Sequence, residues 1–202
     1  RISLTVGILA SVINLVVGVT YGGIAGYFGG KVDNLMMRIV DILYTIPLTL
    51  YVILLMVWLG AGMKSILIAI GTTYWISMAR IVRGQILSLK EQEYVMAART
   101  LGASDSRILF KHLVPNAMGP IIVTMTMSIP SAIFTEAFLS FIGLGVSAPK
   151  ASWGVLCNDA LGSFMLYPHH LFFPAIALSI TMLAFNFLGD GLRDALDPKM
   201  RK

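Results

Sequence analysis

The sequence predicts an all-α fold, a polytopic transmembrane helical bundle with about five spans in its 202 residues. Three observations carry that prediction. Hydrophobic residues make up 57% of the chain and charged ones 12%, with a mean hydropathy of +0.83, whereas a soluble domain has roughly 25% charged residues. Uncharged runs of 15 to 29 residues recur, too long to serve as helices around a water-facing core. Lysine and arginine gather in alternate loops and avoid the others.

Ile2 to Gly30 holds no charge over 29 residues, more than the ~20 needed to cross ~30 Å of hydrocarbon, and reads as the first span. Its glycines let helix backbones approach closely, and the Gly22–Gly26 GxxxG reads as general small-residue packing rather than a dedicated dimer motif. Ile42 to Met63, 22 uncharged residues, is the second span, with a tolerated kink at Pro47 near its start. Ser65 to Ala79 supplies 15 more, so the third span uses Arg80 and Arg83 at its cytoplasmic end, snorkelling to the interface.

Lys90 to Lys111 mixes Lys, Arg, Glu and Asp with small residues in a helical pattern and is a structured loop. Leu113 to Pro149 is apolar apart from Glu136, enough for a fourth span plus a re-entrant or interfacial continuation through Phe138 to Gly145. Val146 to His170 mixes Pro, Gly, Ser, Trp and Tyr as an interfacial loop does. Leu171 to Gly189, 19 uncharged residues, is the fifth span.

With five spans, Lys31, Arg38, six cations between Arg80 and Lys111, and Arg193, Lys199, Arg201 and Lys202 share one side. Arg1, Lys64 and Lys150 share the other. The split is 12 against 3, which places the chain as a multi-pass protein of a plasma or inner membrane with residues 80–111 and the C-terminus in the cytoplasm. Arg1 then lies outside, and a preceding span would repair that orientation. The net charge of +5 accompanies no basic run interleaved with aromatics and no Gly-rich phosphate loop, so nucleic acid is not an expected partner. The single cysteine, Cys157, excludes an internal disulfide and reads as inert.

Within the loop, Glu93 and Ala97, and Ala98 and Gly102, stand one helical turn apart and leave one side of the element small-surfaced. Gly102 suits a left-handed helix end, and Ser104 is placed to cap the next helix. Two short helices with a bend fit either a partner's groove, as a rigid knob, or the chain's own bundle.

The spacing Ala97-Ala98, three residues, Gly102, then twelve residues to Pro115 resembles the EAA loop of permeases of the binding-protein-dependent ATP-driven importer family. Glu93-Tyr94-Val95 before the alanines resembles its dipeptide, oligopeptide and nickel branch. Met96, His112 and Val114 stand where the general motif has Glu, Ile and Leu, and Glu93 supplies an acid one turn before Met96. Gly26-Tyr27-Phe28-Gly29-Gly30, Leu139 to Gly145, Ser152-Trp153-Gly154 and Asn186 to Pro198 match the same branch, so the resemblance covers essentially the whole chain and is closest to the C-type peptide permease.

The resemblance implies one permease transmembrane domain over residues 1–202, with a cytoplasmic coupling loop at 90–115. Such subunits usually have six spans, so the first is expected to be absent here. It implies that Glu93, Tyr94, Ala97, Ala98, Gly102, Ala103 and Pro115 couple to an ATP-binding subunit, which hydrolyses ATP in place of this chain. Further implied partners are a second homologous permease, an extracytoplasmic substrate-binding protein, membrane lipid and a peptide substrate, with no cofactor. A nickel or metal-chelate permease is permitted by the same motifs. From a different class, a secondary transporter or channel needs internal repeats or an intramembrane acid/base chain, and the sequence offers one acid and no repeat.

Glu136, an ionisable group at membrane depth, is a candidate for the translocation path or for a hydrogen-bonded structural role. Asn186 is a second path candidate, and Asn14 and Asn186 both suit bonding across helices. His169, His170 and Asp159 read as interfacial rather than metal-binding, since adjacent histidines point to different sides of a helix or strand.

Overall fold

Ile2–Phe28 forms one uninterrupted helix, α1, in the computed structural model, which describes residues 1–60, 62–145 and 150–196. Its buried positions, among them Val6, Ala10, Asn14, Gly18, Gly22 and Gly26, recur every three or four residues and so share a face. That face packs chiefly on α4, Met63–Leu89, and next on α8, Met118–Leu139. Glycine makes the first contact possible. A Cβ at Gly18 would stand 2.5 Å from Met78 Cβ, one at Gly22 would overlap the Ala79 backbone, and one at Gly26 would stand 2.8 Å from the Arg83 carbonyl oxygen. The GxxxG therefore packs backbone against backbone inside this chain.

The third span is longer than its uncharged run. Helix α4 continues past Ala79 to Leu89, so Arg80 and Arg83 lie within it rather than at its end. The reason is α2, Gly30–Tyr44, which brings two carboxylates alongside. Arg83 Nε and Nη2 donate to Asp33 Oδ1 and Oδ2 at 2.5 and 2.6 Å, and Arg80 Nη2 donates to Asp41 Oδ1 at 2.8 Å. The Asp33 side chain is only 8% exposed, and the two-pronged guanidinium contact compensates its removal from water.

The single helix expected over Ile42 to Met63 is broken. Its first residues finish the amphipathic α2, and α3 spans Leu48–Leu59, the two axes meeting at 83°. Pro47 has no N–H to continue a helix and disfavours helical backbone at Ile46, which puts the break at its observed place. Among the described residues, α1, α4, α8 with its continuation, and the helix His169–Leu196 are each long and apolar enough to cross a membrane, and the bent α2–α3 pair makes a fifth crossing when counted as one span.

Beyond α8 the chain widens into a π-helical turn, Ser140–Leu144, where Gly143 takes φ +86°. The short α9, Trp153–Leu161, begins where Ser152 Oγ accepts the Val155 N–H at 3.3 Å. Helix α10, His169–Leu196, lies on α8 and α9. Only Pro174 and Gly189 of α10 are buried, while Phe173, Ile176, Ile180, Leu183 and Phe187 form an exposed apolar face suited to lipid or to another membrane helix. Val146 and Pro149, Asp197 and Pro198 of the C-terminal motif, and the cations Lys199, Arg201 and Lys202 lie outside the described residues.

Gly22→Val is expected to force α1 off α4 and to destabilise the purified protein by about 3 kcal/mol, the upper end for overpacking because backbone is the obstacle. Gly84→Val, in the same α4 but facing open space, is the control and should leave the melting temperature in detergent nearly unchanged.

Candidate functional site

After Leu89 the chain leaves the bundle and folds back on it as two short helices joined at an elbow. The first, α5, spans Glu93–Thr100; the second, α6, spans Asp105–Arg107 and runs through a π-helical turn, Ile108–Leu113, and the short α7, Val114–Asn116, towards α8. Gly102 has φ +79°, a conformation that only glycine adopts without strain. The Ala103 N–H donates to the Ala98 carbonyl at 3.0 Å and the Gly102 N–H to that of Arg99 at 2.9 Å. This reciprocal pair is a Schellman closure, which fixes the angle between α5 and α6. Ser104 occupies the capping position of α6 in extended conformation, but its side chain makes no capping bond.

Burial decides which side faces the bundle. Val95 is fully buried with Ile108, Leu109 and Leu113, and Ala98 and Ala103 pack against the same cluster. Those two alanines serve close packing on the chain's own bundle. Glu93, Tyr94, Ala97, Gly102 and Pro115 instead face outward. Beside them Met96 is 53% exposed and Leu101, at the tip of the elbow, 88%. Leu101 is the surface residue that sequence reasoning missed, and its signal was an apolar side chain directly before the helix-ending glycine.

The elbow is fastened to α1. The Tyr27 hydroxyl donates to Asp105 Oδ1 at 2.6 Å, and the Arg99 guanidinium carbon lies 5.6 Å from the centre of the Tyr27 ring. Lys90 Nζ donates to the Gly26 carbonyl at 3.1 Å, near the C-terminus of α1, where carbonyls lack helical partners and a cation is favoured. Arg80 and Arg83 are occupied with α2.

Further up the bundle, a cavity of about 600 Å³ opens between α1, the α2–α3 bend, α4 and α8. Asn14, which lines it, is 2% exposed, and its Oδ1 has no hydrogen-bond partner. The two residues expected on a translocation path sit elsewhere. Glu136 is fully buried in α8, where Oε1 accepts from Ser140 Oγ at 2.7 Å and Oε2 has no partner, and Asn186 is exposed on α10. His169 and His170 open α10 with ring centres 4.6 Å apart. Among the described residues, no three His, Cys, Asp or Glu side chains come together as a metal would need. Cys157 lies half-buried in α9, where burial pushes its thiol up.

Residues 18–202 match the family model of the binding-protein-dependent transport system inner membrane component. The oligopeptide transport system permease protein OppC of Bacillus subtilis is 60% identical over 202 residues, covering 100% of this chain and 66% of that protein. The dipeptide transport system permease protein DppC of the same species is 57% identical over 204 residues, covering 100% of this chain and 63% of its own length. The chain therefore spans just under two thirds of these two curated relatives. In fold it resembles a chain of the inward-facing MetNI methionine ABC transporter, with a TM-score of 0.75 at 17% identity, covering 97% of this chain and 93% of that one. A bundle of apolar helices with an elbow built on the Ala97-Ala98-Gly102 spacing, matched to one family over 185 of its residues, leads to one assignment: the chain belongs to the family of binding-protein-dependent transport system inner membrane components.

Proposed function

We propose that the chain is the membrane permease subunit of an ATP-driven importer and that, with a second homologous permease, it forms the path for oligopeptides or dipeptides. Residues 1–202 act as one permease transmembrane domain, with 90–115 as its coupling loop. Residues 80–111 and the C-terminus face the cytoplasm, in keeping with the 12-against-3 distribution of Lys and Arg. The chain performs no chemistry of its own. Separate ATP-binding subunits hydrolyse ATP and an external binding protein delivers the substrate. The names of the two Bacillus relatives favour peptides as the cargo.

The observation that carries this reading is the elbow. Leu101 projects at its tip without contributing to this chain's core, and the closure at Gly102 keeps α5 and α6 at a fixed angle. An ATP-binding subunit that grips Leu101, Met96 and Ala97 moves both helices together. The hydrogen bond from Tyr27 to Asp105 carries the movement into α1, and the glycine face of α1 carries it to α4. Switching between inward-open and outward-open states from 1:99 to 99:1 takes about 5.5 kcal/mol, which a stiff linkage delivers with little loss.

Docking is tested at Ala97, which is helical and exposed; a side chain at Gly102 would strain the left-handed backbone whether or not it touches a partner. In the full-length protein, Ala97→Trp is expected to reduce co-purification of the ATP-binding subunit at least about tenfold while the melting temperature of the permease is kept. Recovery at the native level would contradict docking at this face. Tyr27→Phe should keep the complex together yet lower the amount of peptide moved per ATP hydrolysed several-fold, measured in proteoliposomes. An unchanged ratio would show that the bond to Asp105 transmits nothing.

A further inference from the structure

Helix α2 turns Asp33 and Val40 towards the bundle and a polar edge away from it. Lys31, Asn34, Arg38 and Asp41 follow one another at three- and four-residue spacing, and all four are exposed. The edge reaches membrane depth. Tyr21, about two turns before the end of α1, donates its hydroxyl to the Met36 carbonyl at 2.9 Å, which sets Arg38 in the inner half of the bundle rather than at its surface. An ionisable side chain at that depth faces a bundle interior or a water-filled path and marks a substrate route by default.

The same edge ends at the cavity between α1, the α2–α3 bend, α4 and α8. Tyr44, the last residue of α2, lines that cavity together with Ser77 and Ile81 of α4. Arg80 lies between those two α4 residues in the chain. Its Nη2 donates to Asp41 Oδ1 at 2.8 Å, and its guanidinium carbon stands 4.6 Å from the centre of the Tyr44 ring. The Asp41–Arg80 pair is therefore a rim of the cavity, on the side that leads to the elbow. Its side chains are 59% and 40% exposed, so water reaches it, and one turn further along α4 Gly84 faces open space.

Charge on this rim is unbalanced. Arg80 holds Asp41 and Arg83 holds Asp33, and among the described residues neither Lys31 nor Arg38 forms an ion pair. Two guanidinium groups thus stand beside one carboxylate, and the fork of Arg38 is unspent. Such a fork matches the two oxygens of a carboxylate. The hydroxyls of Tyr44 and Ser77 add neutral donors on the cavity side.

We propose that Arg38, beside the Asp41–Arg80 pair, binds the terminal carboxylate of a peptide where the cavity opens towards the cytoplasm. The inference rests on the peptide-importer reading and deepens it by naming the end of the cargo that is recognised and the residue that recognises it. Asp41 keeps Arg80 on the wall, so Arg38 alone offers a free fork at this point. Every linear peptide with an unmodified end carries the carboxylate, so the contact is indifferent to side-chain sequence. Its exposure to water keeps it weak enough for release.

The test uses the full-length chain in its complete complex, with the external binding protein and tri-alanine as the probe. Arg38→Cys is made in a Cys157→Ser background with the other subunits free of cysteine, and the complex is modified before reconstitution in proteoliposomes. Unmodified Arg38→Cys is expected to lower tri-alanine uptake about tenfold. Treatment with 2-aminoethyl methanethiosulfonate, which puts a cation back, should recover at least a third of the native uptake. The anionic 2-sulfonatoethyl reagent should recover none. Tri-alanine amide, supplied at a concentration that gives equal uptake by the native complex, should lose less than twofold in Arg38→Cys. ATP hydrolysis stimulated by the loaded binding protein and the melting temperature should stay near native throughout. Native uptake by Arg38→Cys, equal effects of the two reagents, an equal loss for the amide, or ATP hydrolysis falling in step with uptake overturns the carboxylate contact and leaves the peptide importer standing. If the native complex moves no tri-alanine while its ATP-binding subunits are active, the peptide reading falls and this inference falls with it.

Discussion

Contact between the backbones of α1 and α4 sets the frame for everything else in the molecule. In a bilayer, apolar side chains gain nothing by meeting each other rather than lipid, so two helices hold together by approaching closely enough for dispersion and backbone contact to count. Gly18, Gly22 and Gly26 remove the obstacle along one face of α1, and the ridge of Met78, Ala79 and Arg83 on α4 occupies the space. Two things depend on that approach. It places the Asn14 side chain against the cavity beside α4, and it holds the end of α1 at the place where Tyr27 meets the elbow.

The elbow and the cavity are thus joined through α1. Polar groups are satisfied at the elbow end, where Asp105 accepts from Tyr27 and Lys90 covers the Gly26 carbonyl. Asn14, which lines the cavity, has a buried Oδ1 without a hydrogen-bond partner. Helices α3 and α10, which bury little of themselves, keep broad apolar faces for lipid and for the second permease of the proposed pair.

Much of this was legible in the sequence. Charge-free runs located α1 and α10, and a run broken only by Glu136 located α8, because hydrocarbon length and backbone satisfaction leave few alternatives to a helix. Gly102 announced the bend because glycine suits a left-handed helix end. Less legible were features that depend on partners distant in the chain. The run from Ile42 to Met63 looks continuous, yet its first residues complete an amphipathic helix whose aspartates meet Arg80 and Arg83 from 39 and 50 positions away. Hydropathy alone says nothing of such pairing. Glu136 drew notice as the only acid in its span, but Ser140 one turn later offers it a local partner, whereas the unremarkable Asn14 faces the cavity. The small-surfaced loop likewise concealed a division: Ala98 and Ala103 serve its own bundle, and Ala97 with Leu101 faces outward.

The central claim is that the elbow is the point of contact with an ATP-binding subunit and moves as one piece with α1. The most direct measurement is cysteine crosslinking in native membranes from Leu101→Cys in a Cys157→Ser background, with the full-length chain and its ATP-binding subunit bearing single cysteines along the surface cleft. The account predicts a specific crosslink to one part of that subunit, retained when nucleotide is added because the elbow travels with its partner. Crosslinking to no ATP-binding subunit, with Leu101→Cys reacting freely with a water-soluble maleimide in the assembled complex, would contradict it.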